Sequence, residues 1–260
     1  MCSLRTYILA ILFLFCSQIT CGMTIDKNIG FFVSDISYEE PAFMSENGSL
    51  VGLYGSYGLY GDYMLKFEAS YAEGLMDYVG SGSSEAYDHI IELRELAGIN
   101  YAQTNDSQLI PYIGLGYRYL NDDSTNTIST SGAMGYEREQ SYLYSPIGFE
   151  YKKTLAKQAW EINSRIEYDI LWQGTNHSHL GNIPGYNDIT LNQFKGHGYR
   201  LCIELMRTHQ GQKYIIEPFY KHWHVDTSDN TIDSNGTSFV EPKNTSDELG
   251  IGFMWLFHSP

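Results

Sequence analysis

The chain has 260 residues, with 16 Lys and Arg against 31 Asp and Glu, a net charge of −15. That acidic balance argues against a phosphate backbone, and therefore nucleic acid, as the partner of its surface. Cys2, Cys16 and Cys21 fall in the first 22 residues, so the rest of the chain, with Cys202 alone, has no intrachain disulfide to hold an exported fold.

The first segment, MCSLRTYILAILFLFCSQITCG, carries Arg5, then an apolar run over 7–16, then small and polar residues. This is the order of a secretory signal peptide, with cleavage expected at Gly22. The run is shorter than the roughly 20 apolar residues that a membrane-spanning helix needs. A lipid anchor on Cys21 would need a Leu and a small residue upstream, where Gln18, Ile19 and Thr20 stand instead. The expected organisation is a signal peptide at 1–22 and a single barrel domain at 23–260.

From there the chain alternates. Strands are expected over 30–40, 49–60, 63–74, 89–103, 109–120, 141–153, 158–172, 198–208, 214–225 and 247–257. Each is close to the 9–11 residues of a tilted strand crossing a bilayer. The connections alternate too. Short ones (61–62, 104–108, 154–157, 209–213) are interleaved with long polar ones (41–48, 75–88, 121–140, 173–197, 226–246). An antiparallel meander with both termini on one side of a membrane produces that sorting. The expected fold is therefore all-β: an antiparallel transmembrane β-barrel of about ten strands (range eight to twelve), with short periplasmic turns and long extracellular loops.

The two faces of each strand differ in kind. In WEINSRIEYDILW (160–172), Trp160, Ile162, Ser164, Ile166, Tyr168, Ile170 and Trp172 share one side. Glu161, Asn163, Arg165, Glu167, Asp169 and Leu171 share the other. Likewise Tyr199, Leu201, Ile203 and Leu205 oppose Arg200, Cys202 and Glu204, and Leu249, Ile251, Phe253, Trp255 and Phe257 oppose Gly250, Gly252 and Met254. An apolar face with aromatic ends suits lipid; a face of glycines and mixed charges suits a lumen. Backbone groups in hydrocarbon must all be paired, so such a sheet has to close. Three places fit less well. Asp35 interrupts 30–40. Glu95 sits on the apolar face of 89–103, where a bulge or register change is expected. Pro146 and Pro218 fall within strands, where each removes a ladder donor.

PYIGLGYRYL (111–120), SPIGFEYKK (145–153), IEPFYKHW (216–223) and LGIGFMWLF (249–257) resemble the strands of small bacterial outer-membrane β-barrel proteins, the porin-like and OmpA-type class. The resemblance spans nearly the whole mature chain as a pattern, and it implies a place in the bacterial outer membrane. The last strand is similar to the C-terminal signal that such proteins show to the barrel-assembly machinery. Here, however, His258-Ser259-Pro260 follow Phe257. The resemblance also implies outer-membrane lipid and lipopolysaccharide as surroundings.

The inward charges expected are Lys66, Glu68, Glu92, Arg94, Arg118, Glu150, Lys152, Glu161, Arg165, Glu167, Asp169, Arg200, Glu204, Glu217 and Lys221. In a narrow barrel these either pair into a plug or line a charged conduit, for which the inward glycines leave room. At the strand ends, HWHVD (222–226) and Asp122-Asp123 resemble in part the Asp pair and Asp/His pair of the omptin proteases. The order is reversed, and neither pair matches that motif residue by residue. NHSHLGN (176–182) is similar in part to the His-x-Ser-Asn of lipid A deacylases, with the wrong spacing. TIDSNGTSFVE (231–241) resembles half a calcium loop, making Asp233, Asn235 and Glu241 weak metal candidates. No cofactor is expected. The leading expectation is a non-enzymatic surface barrel with a structural or adhesive role through its loops, which would bind an extracellular ligand. The alternatives are a small porin or channel, and a rim enzyme that is omptin-like or lipid A-modifying.

Overall fold

A computed structural model describes residues 23–155, 160–210, 212–232 and 236–259. The expected signal peptide, 1–22, lies outside the described residues. Period-two patterning runs through the chain, and the strands that result are β1 (Thr24–Glu40), β2 (Met44–Tyr60), β3 (Tyr63–Gly80), β4 (Gly82–Ile99), β5 (Ala102–Gln103), β6 (Ser107–Asp123) and β7 (Glu137–Leu155). They continue with β8 (Trp160–Ser178), β9 (Ile189–Gln193), β10 (Gly196–His209), β11 (Gln212–Val225), β12 (Thr231–Ile232), β13 (Ser238–Phe239) and β14 (Asn244–Ser259). Every neighbouring pair is antiparallel. β1 closes the ring by pairing with β14 from Ile25↔Ser259 to Glu39↔Thr245. Ten long strands make the ring; β5 adds to β6 and β9 adds to β8 outside it. The barrel has a terminal end, where β1 begins at Thr24 and β14 ends at Ser259, and a loop end.

The faces divide as period two requires. Ile29, Phe31, Val33, Leu53, Ile203 and Leu249 point outward and are exposed, while Phe32, Ser34, Arg200 and Cys202 point inward and are buried. Phe31 stacks on Phe253 across the closing seam, with centroids 5.6 Å apart. A solvent-exposed apolar belt of this extent is unstable in water, and hydrocarbon is the medium that suits it. Toward the loop end the outward positions turn polar, with Asp35, Glu39, Glu73, Asp77 and Glu85 all outside the belt.

Several expectations are corrected. The strands run to 19 residues and continue past the belt, so 41–48 and 75–88 are not long loops. Only residues 41–43 join β1 to β2, and only Ser81 joins β3 to β4. That second turn closes on Gly82 at φ 104°, a left-handed conformation that glycine adopts without strain. The long loop-end connections are 124–136, 179–195 and 226–243. Residues 100–103 are not part of β4. Asp35 causes no irregularity, because it faces outward above the belt.

No bulge relieves Glu95. β4 pairs with β3 and β6 in unbroken register, with Phe67 and Leu115 as the Cα partners of Glu95. The carboxylate stays on the outer wall, at the edge of a shallow hollow lined by Gly55, Ala69, Leu93 and Leu143. The register shift falls instead opposite Leu143 and Tyr144, where β8 holds Trp172 and Gln173 both outside. The prolines each cost rungs without moving the register. The β6–β7 ladder lapses between Ile113↔Ile147 and Gly116↔Tyr144, beside Pro146. The β10–β11 ladder lapses between Cys202↔Phe219 and Leu205↔Ile216, beside Pro218.

Candidate functional site

From the terminal end, the lumen opens as a vestibule of about 770 Å³ lined by Asp26, Asn28, Lys66, Lys152, Glu161 and Lys213 among others. Glu161 pairs with Lys213 at 2.8 Å, and Glu150 pairs with Lys152 at 3.0 Å. The Lys152 ammonium sits 3.4 Å from the Tyr60 ring centroid, and Asn163 donates to Glu204 at 3.0 Å. Lys152, Glu161 and Lys213 border water on one side.

Deeper, charges from five strands meet. Glu68 of β3 is contacted by Lys66 at 2.9 Å, Arg94 at 2.7 Å and Arg165 at 2.6 Å, and it accepts a hydrogen bond from the Tyr54 hydroxyl at 2.8 Å. Arg94 also pairs with Glu167, which accepts from the Tyr112 hydroxyl at 2.8 Å and lies 3.2 Å from Arg200. Arg200 reaches Glu92 at 2.6 Å, and the Tyr144 hydroxyl donates to the same carboxylate at 2.6 Å. Arg165 extends to Glu217 at 3.6 Å and to the Cys202 sulfur at 3.2 Å. Charges stripped of water cost several kcal/mol each unless paired, and here Arg94, Arg165 and Arg200 each bridge carboxylates from different strands. Asp169 is buried beside this network, and its Oδ1 has no hydrogen-bond partner.

The space left by the inward glycines is occupied. A Cβ on Gly116 would stand 2.1 Å from the Tyr144 ring, and one on Gly148 would stand 2.6 Å from the Tyr112 ring. Both glycines therefore let a tyrosine cross the lumen and reach the network. The gap remaining at this level is about 40 Å³, on the scale of a single water. On its loop side lie apolar fillings: Phe32, Ile36, Leu50, Met76 and Phe219 in one cluster, Tyr142, Tyr144, Leu171 and Trp223 in another. Lys221 pairs with Glu248 at 3.2 Å beside the first, and Arg118 lies over Tyr142 at 5.8 Å beside the second.

At the loop end a second charged group surrounds Arg138. Its guanidinium lies 2.6 Å from Glu40, 3.2 Å from Asp122, 3.7 Å from Glu46 and 3.9 Å from Glu241. Asp88 stands beside Glu46 and Asp122 with its Oδ1 unpartnered. Glu40, Glu46, Asp88 and Arg138 were not among the expected lumenal charges. They lie on strand extensions that lack an apolar outer face, and the signal that finds them is the inward row Phe32, Ser34, Ile36, Tyr38, Glu40.

One guanidinium cannot neutralise four carboxylates, and Glu241, in the 226–243 connection, is the farthest from it. Burial pushes the Glu241 carboxyl from its ordinary 4.5 up to about 8; Arg138 pulls it down and Glu40 pushes it up. The seated connection therefore holds a proton on Glu241 that the unseated one releases. Seating is fully favoured below pH 4.5 and weakens as pH rises through about 8. Proteolytic nicking of 226–243 in detergent micelles is expected to increase across that window. In Glu241→Gln the rise should be shallower, whereas an unchanged slope in that variant would remove Glu241 as the cause.

The structure separates the candidate rim catalysts. Asp122 faces the lumen, and Asp123 faces out. His224 contacts Asp226 at 3.1 Å on the outer wall, with His222 beside it contacting Asp247 at 2.8 Å. The Asp122-Asp123 pair and the His224–Asp226 pair thus do not converge on one water. In NHSHLGN, Asn176 and Ser178 point inward and bond each other at 3.2 Å, while the two histidines lie outside. Asp233 and Asn235 lie outside the described residues, and Glu241 is turned toward Arg138.

No protein-family model matches the chain, and no curated protein matches it. Among solved structures, the outer membrane protease OmpT from Escherichia coli aligns at a TM-score of 0.59 and 10% identity, over 90% of this chain and 95% of that one. The translocator domain of the autotransporter NalP from Neisseria meningitidis aligns at 0.44 and 10% identity, over 96% and 94%. Neisserial surface protein A aligns at 0.36 and 8% identity, over 90% and 96%. At such identities the likeness is one of fold. The closed ring, the exposed apolar belt and the OmpT alignment agree that this chain has the architecture of a ten-stranded bacterial outer-membrane β-barrel.

Proposed function

We propose that the chain is a non-enzymatic surface barrel whose lumen is shut and whose loop end, facing outside the cell, carries a structural or adhesive role. The observation that supports this reading is the ion-pair network of Lys66, Glu68, Glu92, Arg94, Arg165, Glu167 and Arg200, sealed on its loop side by apolar and aromatic side chains. Connections 124–136, 179–195 and 226–243 stand on a wall stiffened from within, and binding residues commonly occupy loops of that kind. On this reading the partners are outer-membrane lipid and lipopolysaccharide around the wall, the barrel-assembly machinery during insertion, and an extracellular ligand at the loops.

Planar bilayers containing the refolded protein are expected to stay silent, and steady ohmic steps would contradict the reading. A small-solute channel is the second reading, favoured by the open vestibule, and it requires the network to part. A rim hydrolase draws on the His224–Asp226 contact and on the fold shared with OmpT. It predicts peptide or lipid hydrolysis that Asp226→Asn abolishes.

A further inference from the structure

Beyond the belt, on the outward face, Glu139 of β7 and His177 of β8 are Cα partners across the ladder, and His179 follows directly on the end of β8. His179 Nε2 lies 3.3 Å from Glu139 Oε2. The rings of His177 and His179 meet edge to face, with centroids 4.5 Å apart. One ligand atom from each of the three residues lies within 4.8 Å of the other two.

On Glu139 and His177 the atoms that would not ligate are held by neighbours. The Tyr119 hydroxyl donates to Glu139 Oε1, leaving Oε2. His177 Nδ1 shares a 2.7 Å hydrogen bond with Thr190 Oγ1, leaving Nε2. Thr190 is placed there by β9, which pairs His177 with Thr190 outside the ring. A hydrogen bond on the second ring nitrogen, and another on the second carboxylate oxygen, are the supports that fix metal ligands in orientation.

We propose that Glu139, His177 and His179 form a site for a divalent transition-metal cation of the zinc type at the loop end of the barrel wall. Two imidazoles and a carboxylate suit zinc or its borderline-soft neighbours, whereas calcium and magnesium take oxygen donors. Ligand arms of about 2.0–2.1 Å make a tetrahedron with edges of roughly 3.3 Å. The His179–Glu139 separation is already that edge, at 3.3 Å. Closure needs the His177 ligand atom, within 4.8 Å of the other two, to draw in, and three protein donors leave a fourth position open to water or to a donor from another molecule. The site stands apart from the lumen, so a conducting barrel would leave it intact.

The test is a calorimetric titration of the full mature protein, refolded in zinc-free micelles, with zinc chloride alone. One saturable site is expected, unaffected by excess calcium or magnesium. His177→Ala and His179→Ala are each expected to weaken it at least about 10-fold. Glu139→Gln, which keeps an oxygen for Tyr119, should weaken it comparably without disturbing the fold. His224→Ala, at a separate His–Asp contact, serves as the control and should bind as the wild type does. Absence of saturable zinc binding by the wild type would overturn the proposal. So would undiminished affinity in Glu139→Gln, or an equal loss in His224→Ala.

Discussion

Arg94→Leu is expected to destabilise the barrel by about 3–5 kcal/mol, the range found when one partner of a buried charge network is removed. Arg94 is buried between Glu68 and Glu167, which come from β3 and β8, strands that are not neighbours in the ring. Without it, Glu167 keeps only the 3.2 Å contact to Arg200 and the Tyr112 hydroxyl, and a neutral water in the gap would not supply the lost positive charge. The measurement is the urea midpoint of the shift between unboiled and boiled migration, for protein folded into vesicles. Arg94→Leu combined with Glu167→Leu should recover part of the loss, because the second change removes the stranded charge. Lys213→Ala breaks a pair at the vestibule whose side chains are 21% and 31% exposed, and should cost no more than about 1 kcal/mol. An Arg94→Leu variant that unfolds with the wild type would mean that water already reaches the network.

Leu53→Arg addresses the other face. Leu53 is 65% exposed in the middle of the belt, with Phe31 and Tyr71 as its Cα partners. In water an arginine there would be harmless; at the midplane of a bilayer it is expected to cost about 2–4 kcal/mol. Ser49 lies on the same face and strand, toward the loop end, where its hydroxyl donates to Asp35 at 2.6 Å. Ser49→Arg should cost no more than about 1 kcal/mol, since that level lies at or above the interface. Equal costs at the two positions would place Leu53 outside hydrocarbon. Glu95 shows that the wall already carries one acid at belt level, and acids are the cheaper charges there.

Strand count, antiparallel order and the division of faces were legible in the residues because the belt demands apolar outward positions, and period two then names the inward ones. Glu68, Arg94, Arg165, Glu167 and Arg200 follow from that parity alone. The strand extensions were not legible from the outer face. Past Ser49 and Glu73 it meets water, so polar Asn47, Asp77 and Glu85 interrupt its apolar positions and the pattern reads as loop. The inward row, from Leu50 and Met76 onward, stays buried and carries the strand signal there. The state of the lumen was illegible for a different reason. Gly116 and Gly148 read as vacancies, and only the cross-strand geometry shows that Tyr144 and Tyr112 occupy them. The grouping of Glu139, His177 and His179 depends on the Glu139↔His177 register, which the bulge at Trp172 sets.

The most direct test is a spin-label scan along β10, from Tyr199 to Leu205, in lipid vesicles. Collision rates with oxygen, which concentrates in hydrocarbon, should be high at 199, 201, 203 and 205. At 200, 202 and 204 they should be low, and a water-soluble nickel chelate should reach those labels poorly as well. Oxygen rates that do not alternate, or inward labels open to the chelate, would contradict a lipid-embedded wall around a closed lumen.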